Sequence, residues 1–254
     1  MIVDAHLHWP MAKPEGPERL LAVLDRYGID AAIVCGVEVL FASKSAPVRQ
    51  WNDRLIKFCR QSPSRLAPLV TVHLSDGQAA LEEAKRCAEA GSIGGFKLHP
   101  WLQGESLCLP ATAELCELAA ARNLPIMLHD GTPPYALSSQ VGLLAAEHPA
   151  TTFILGHSGL LHYWREAIEV GRRFTNVYLT LCGGHPWGLG RICESVPAER
   201  ILWGSDCLGP GGEEHIHYRM GLLRLLKVDE TTLAAIMGDN ACRVWKIPPQ
   251  GAGR

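Results

Sequence analysis

A regular alternation constrains this chain more than any other feature: eight short aliphatic and β-branched runs recur along its length, each followed by a stretch of helix-forming composition. The runs are Ile2 to His6, Ala31 to Cys35, Leu66 to Val72, Gly94 to Leu98, Leu124 to Leu128, Thr152 to Leu155, Asn176 to Leu181 and Arg200 to Trp203. Neighbouring runs lie roughly 30 residues apart, the length of one strand-helix-strand step. Between them, Pro17 to Tyr27 carries Leu20, Leu21 and Leu24 at helical spacing, and Ala111 to Arg122 carries Leu115, Leu118 and Ala119. The strand runs are almost continuously apolar, as a parallel sheet covered on both faces requires.

A doubly wound open sheet would show the same alternation, but it would place a Gly-x-Gly-x-x-Gly turn after the first strand, and here that strand ends in histidines. The reading is therefore α/β, a single (β/α)₈ TIM barrel over residues 1–247 with its site at the C-terminal ends of the strands. A length of 254 residues suits one such barrel. The Pro/Gly-rich stretch Leu208 to Gly212 reads as an active-site loop, and residues 248–254 read as a flexible tail.

In this fold the chemistry comes from several strand ends. Those ends carry His6 and His8, His73, Lys97 and His99, His129, His157 and Asp206. Residues two apart on a strand point to one side, so His6 and His8 can reach one cation together. A His-x-His pair alone says little, because strand histidines are often hydrogen-bonded core residues; three further strand ends bearing His129, His157 and Asp206 make a metal site the better reading. Imidazole nitrogen and carboxylate oxygen suit Zn²⁺, and Mn²⁺ or Fe²⁺ accept the same set.

Other histidines carry less. His185, in Cys182-Gly183-Gly184-His185-Pro186-Trp187, follows the seventh strand, where glycines let backbone approach a ligand. His215 and His217 fall where a helix should begin, and an i, i+2 pair on a helix points two ways, so they read as a solvated helix start. Trp9 and Pro10 either wall the pocket or pack in the core.

Charge excludes some partners. Lys and Arg number 24 against 26 Asp and Glu, a formal charge of -2 that gives no reason to expect nucleic acid or an anionic membrane. A small-molecule substrate fits better. The nine cysteines are scattered without a Cys-x-x-Cys pair, which points to reduced, mostly buried thiols, Cys207 among them. The opening Met1-Ile2-Val3-Asp4 runs straight into a strand without a signal-peptide pattern, and no apolar run approaches membrane-spanning length, so a cytoplasmic protein is expected. An apolar content of 47% and seven tryptophans leave room for a homodimer face.

The motifs Val3-Asp4-Ala5-His6-Leu7-His8, Gly95-Phe96-Lys97-Leu98-His99-Pro100, Ile126-Met127-Leu128-His129, Leu155-Gly156-His157-Ser158-Gly159, Leu202-Trp203-Gly204-Ser205-Asp206 and Gly238-Asp239-Asn240-Ala241-Cys242-Arg243-Val244-Trp245 occur in this order. Together they resemble the amidohydrolase superfamily, and within it the amidohydrolase-related branch that includes aminocarboxymuconate-semialdehyde decarboxylase. The resemblance implies that His6, His8, His129 and Asp206 hold one metal ion, that His157 polarises the substrate, and that Asp206 doubles as general base towards metal-activated water of pKa about 7. Lys97 stays open between three roles: a carboxylated lysine bridging two metals, a cation for a substrate carboxylate, and a structural ion pair. His99 and His185 are the other expected substrate contacts.

Three activities follow. The leading expectation is hydrolysis of a small carbonyl compound such as a lactone, cyclic amide or ester. The alternative is a non-oxidative decarboxylase using the same metal site, which Lys97 and His99 would suit. A metal-dependent nuclease of the TatD type is a minor third, disfavoured because that type carries a glutamate where this chain has Lys97. A barrel that uses metal only for stability is disfavoured too, because structural zinc sites are closed by protein ligands.

Overall fold

Eight strands form where the apolar runs predict them: β1 (Val3–Trp9), β2 (Ala31–Gly36), β3 (Leu66–Val70), β4 (Gly95–Leu98), β5 (Ile126–Leu128), β6 (Phe153–Leu155), β7 (Val177–Leu181) and β8 (Ile201–Trp203). They pair in sequence order, every pair parallel. The computed structural model describes residues 1–12, 16–41 and 48–248; apart from Pro248, the tail expected at 248–254 lies outside them. Helices α1 (Glu18–Arg26), α2 (Glu38–Phe41), α3 (Val48–Cys59), α4 (Gln78–Glu89), α5 (Pro100–Gln103) and α6 (Pro110–Arg122) fill the crossovers of the first half. In the second half come α7 (Ser138–Glu147), α8 (Trp164–Arg173), α9 (Pro186–Ser195), α10 (Glu214–Leu223), α11 (Glu230–Ala234) and α12 (Asn240–Trp245). This is the single (β/α)₈ barrel that the sequence implies, with α1 and α6 within a residue of their expected ends.

Two apolar layers hold it. Between strands and helices lies the larger, built from residues such as Leu7, Leu24, Leu55, Phe96, Leu115 and Trp203. Inside the barrel Val3, Ala5, Ala31, Ile33, Cys35, Leu69, Met127, Ile154 and Leu202 fill the centre, and Ala241 and Trp245 of α12 pack against them. Among the described residues no helix is long and apolar enough to cross a membrane.

β1 is not a regular strand. Asp4 pairs with Ala32 and Leu7 with Val34, so Ala5 and His6 together face one residue of β2. Such a bulge shifts the alternation. Val3 and Ala5 point into the barrel, and beyond the bulge His6 and His8 point inward while Leu7 and Trp9 turn to the helices.

β1 also meets β8 at the upper end. Asp206 N–H donates to His6 O at 2.8 Å, His8 N–H to Cys207 O at 2.8 Å, and His8 forms an isolated parallel bridge with Leu208. The loop Leu208 to Gly212 therefore begins on the seam beside the site.

Candidate functional site

His6 fits its place because two neighbours lack side chains. A Cβ on Gly204 would stand 2.7 Å from His6 Cβ, and one on Gly156 would stand 3.2 Å from His6 Cε1. His6 Nδ1 donates to Gly156 O at 3.0 Å, which leaves a lone pair on Nε2. That Nε2 lies 3.1 Å from His8 Nε2 and 3.7 Å from Asp206 Oδ1, and His8 Nε2 lies 3.5 Å from the same oxygen. Bonds of about 2.0–2.2 Å to a shared cation imply ligand separations of about 3 to 3.6 Å, so these three donors fit a divalent ion.

Protonation agrees with that role. Burial, followed by the nearby positive charge of Lys97, pushes His6 and His8 well below the usual histidine range. Burial lowers His99 to about 3 and His129 to about 2, and drives His157 well down. All five rings are neutral near pH 7 and offer lone pairs. Burial pushes the Asp206 carboxyl up to about 6, against the opposing charges of Lys97, Arg219 and His215. Asp206 follows β8 with φ of 53°, a left-handed conformation that Asp tolerates better than most residues.

The structure brings the other expected residues to different places. Lys97 is fully buried with Nζ 3.0 Å from His6 Nε2, beside the candidate donor atoms. His157 Nδ1 lies 4.0 Å from Asp206 Oδ2. His129 is half-buried one step away: its ring stacks on His99 at 3.8 Å, meets His157 edge-on at 4.5 Å, and its Nε2 lies 2.8 Å from Thr132 Oγ1. His99 Nδ1 accepts from Leu102 N–H, which puts the ring proton on Nε2. His185 caps α9 by accepting from Gly188 N–H and stacks on Trp187; among the described residues it has no hydrogen bond or ring contact with the histidine cluster. His73 is tied to Val39 O and lies near Glu105, a structural histidine.

Several residues of the site escaped the sequence reading. Cys182 donates S–H to Gly156 O at 2.8 Å and lies 3.4 Å from His157 Nδ1. Asp4 Oδ1 accepts from His6 N–H and Ser205 N–H, tying β1 to β8, and burial raises its carboxyl to about 7. Asp130 Oδ1 accepts from His157 N–H. Arg219 on α10 is half-buried, acts electrostatically on Asp206, and leaves its Nε without a partner among the described residues. Asp130 and Cys182 gave no signal of their own, because their contacts join stretches of chain about 26 residues apart.

A barrel of this order with His, His and Asp converging at its upper end defines a class. Residues 3–247 match the amidohydrolase family model, and the chain belongs to that family. Solved structures share the fold. The 5-carboxyvanillate decarboxylase LigW from Sphingomonas paucimobilis is 20% identical with a TM-score of 0.72, over 91% of this chain and 83% of that one. A 2,6-dihydroxybenzoate decarboxylase from Rhizobium is 19% identical with a TM-score of 0.73, over 97% and 98%. A dihydroxybenzoic acid decarboxylase from Polaromonas sp. JS666, with bound manganese and the inhibitor 2-nitroresorcinol, is 16% identical with a TM-score of 0.75, over 97% of each chain. A search of curated proteins gives no match. The amidohydrolase resemblance read from the motifs is thus borne out, and the chain has the fold of an enzyme family.

Proposed function

We propose that the protein is a divalent-metal-dependent, non-oxidative decarboxylase of a small planar carboxylate. The observation that carries this reading is the company kept by the three donor atoms: Lys97 Nζ stands 3.0 Å from His6, the His99 Nε2–H adds a further donor for an anion, and the Arg219 charge acts on Asp206. The three decarboxylases that share the fold support it. Hydrolysis, the leading expectation from the sequence, has less behind it than the decarboxylase alternative: among the described residues no feature of the site favours a carbonyl over a carboxylate.

His6, His8 and Asp206 would hold the ion, with His129 as the fourth donor that the resemblance implies. When bound, the ion supplies Lewis-acid charge that orients the carboxylate and offsets negative charge in the transition state. Lys97 adds positive charge at the same point. Decarboxylation breaks the bond between the carboxyl carbon and its neighbour; CO₂ leaves and the neighbouring carbon takes one proton. Asp206 and His157, 4.0 Å apart, are the pair placed to carry that proton. Trp187 and Leu225 are exposed and line one surface groove, the face on which the expected second copy would pack.

The test uses purified, metal-reconstituted protein with 2,6-dihydroxybenzoate and 5-carboxyvanillate as probes, beside a panel of lactones and amides in ¹⁸O-water. The expected result is CO₂ release, one solvent proton on the product carbon and no ¹⁸O in the organic product. Turnover of a lactone or amide with ¹⁸O incorporation, and no CO₂ from any carboxylate, would overturn the reading in favour of hydrolysis.

A further inference from the structure

A sulfur donor stands where the resemblance does not put one. Cys35, near the end of β2, pairs in register with His8 and is fully buried on the inner face of the barrel. Its sulfur and one ring nitrogen from each of His6 and His8 all lie within 4.8 Å of one another. The thiol has no hydrogen-bond partner among the described residues. The other two buried thiols of this region are occupied: Cys182 donates to Gly156 O at 2.8 Å, and Cys207 to Gly209 O at 3.6 Å.

A buried cysteine in a barrel core is usually a small apolar filler. Cys35 keeps other company. Imidazoles stand on its β1 side, with one ring nitrogen of each of His6 and His8 within 4.8 Å of the sulfur. Meanwhile His129, the fourth ligand that the resemblance implies, has its Nε2 engaged by Thr132 and its ring stacked on His99. His6, His8 and Cys35 form one of two compact nitrogen-sulfur sets among the described residues; in the other, His6, His157 and Cys182, the thiol already donates to Gly156 O.

We infer that Cys35 is a thiolate ligand to the ion held by His6, His8 and Asp206, which makes the centre selective for zinc over the harder manganese. The inference rests on the metal reading of the site given above. Sulfur is a soft donor that prefers zinc, cobalt and iron(II), whereas manganese and magnesium favour oxygen-rich sets. Binding would displace one proton from the thiol to solvent for each ion, and the thiolate would bond to the metal in its place.

The test strips the full-length protein of metal and titrates it with Co²⁺, whose thiolate complexes show a sulfur-to-metal charge-transfer band in the near ultraviolet. One equivalent of Co²⁺ should bring up the band in the wild-type protein and in Cys182→Ser, but not in Cys35→Ser. X-ray absorption at the zinc edge should show one sulfur ligand. Zinc affinity should fall more than about tenfold in Cys35→Ser while manganese affinity stays within about threefold. Circular dichroism checks that each variant is folded, and Cys35→Ala serves if Cys35→Ser is not. Metal uptake with only nitrogen and oxygen neighbours overturns the inference and leaves the metal site intact. So does a band lost in Cys182→Ser and kept in Cys35→Ser. Failure of the wild-type protein to take up any divalent ion removes both the metal reading and this inference.

Discussion

His157 owes its position to a carboxylate on the neighbouring strand end. Asp130, directly after His129, is fully buried and accepts from His157 N–H at 2.7 Å, Gly159 N–H at 2.7 Å and Ser138 Oγ–H at 2.8 Å. The turn it grips needs holding, because Ser158, Gly159 and Leu160 all have positive φ, at 51°, 82° and 52°. A non-glycine residue there costs about 1–2 kcal/mol. Asn at position 130 would set an N–H donor against another N–H and leave a buried group unpaired, at about 1–3 kcal/mol. Asp130→Asn should therefore lower kcat tenfold or more with KM within about threefold, because the histidine moves rather than the binding surface. Ser138→Ala, which removes only the outermost contact, should keep kcat near the wild-type value. Steady-state kinetics on both variants decides it: an unchanged kcat in a folded Asp130→Asn sinks the positioning role. At Arg219 the split should reverse. Arg219→Ala removes a cation that acts electrostatically on Asp206, so under the decarboxylase reading KM for a carboxylate probe should rise about tenfold or more while an uncharged phenol of the same size binds within about threefold of wild type. Equal losses for both probes would mean that the arginine only shapes the pocket.

The bulge in β1 is the element that builds the site. Simple alternation puts His6 and His8 on one side of the strand, and they are, but it would put Val3 and Ala5 on the other, and they too face the barrel interior. Only the extra residue opposite β2 allows both. Gly204 is the matching concession just past β8, where a Cβ would lie 2.7 Å from His6 Cβ and 3.0 Å from His6 N. Gly204→Ala should push β8 from β1 and cost about 1–3 kcal/mol, with weaker metal binding. Gly190, in α9, has nothing within 4 Å of its would-be Cβ, so Gly190→Ala should add up to about 1 kcal/mol through helix propensity. Urea denaturation of the pair measures both, and shifts of the same sign would refute the steric account of position 204. The eight strands were legible because barrel strands are apolar on both faces, and His6, His8, His157 and Asp206 because their strand ends must converge. The bulge was not, since it is a register relation between two strands with no residue signature. Nor were Asp130, Cys35 and Arg219: Asp130 acts on a backbone 27 residues away, and Cys35 reads as any other buried thiol until His8 is seen opposite it.

For the molecule as a whole, the site and the closing seam of the barrel are one structure. The candidate donors come from opposite ends of the chain, His6 and His8 on the first strand and Asp206 just past the last. The backbone contacts joining those strands run through the same residues, with Asp206 N–H on His6 O and His8 N–H on Cys207 O, both at 2.8 Å, and Ser205 N–H on the Asp4 carboxylate at 2.9 Å. Without a cation, the seam holds a buried cluster of neutral imidazoles around Lys97 and carboxylates raised by burial to about 7 and about 6 at Asp4 and Asp206. An ion bound there ties the two chain ends and offsets the carboxylate charge, so it stabilises the closed barrel by mass action. At free metal a hundredfold above Kd this is about 2.7 kcal/mol, or roughly 5–10 °C in Tm for a domain of this size. Calorimetry on stripped and reloaded protein should show that rise, and on His6→Ala it should show almost none. A reloaded wild-type protein that carries one ion per chain yet melts at the stripped temperature would mean that the ion sits away from the seam. A rise that persists in His6→Ala would place the binding elsewhere in the molecule.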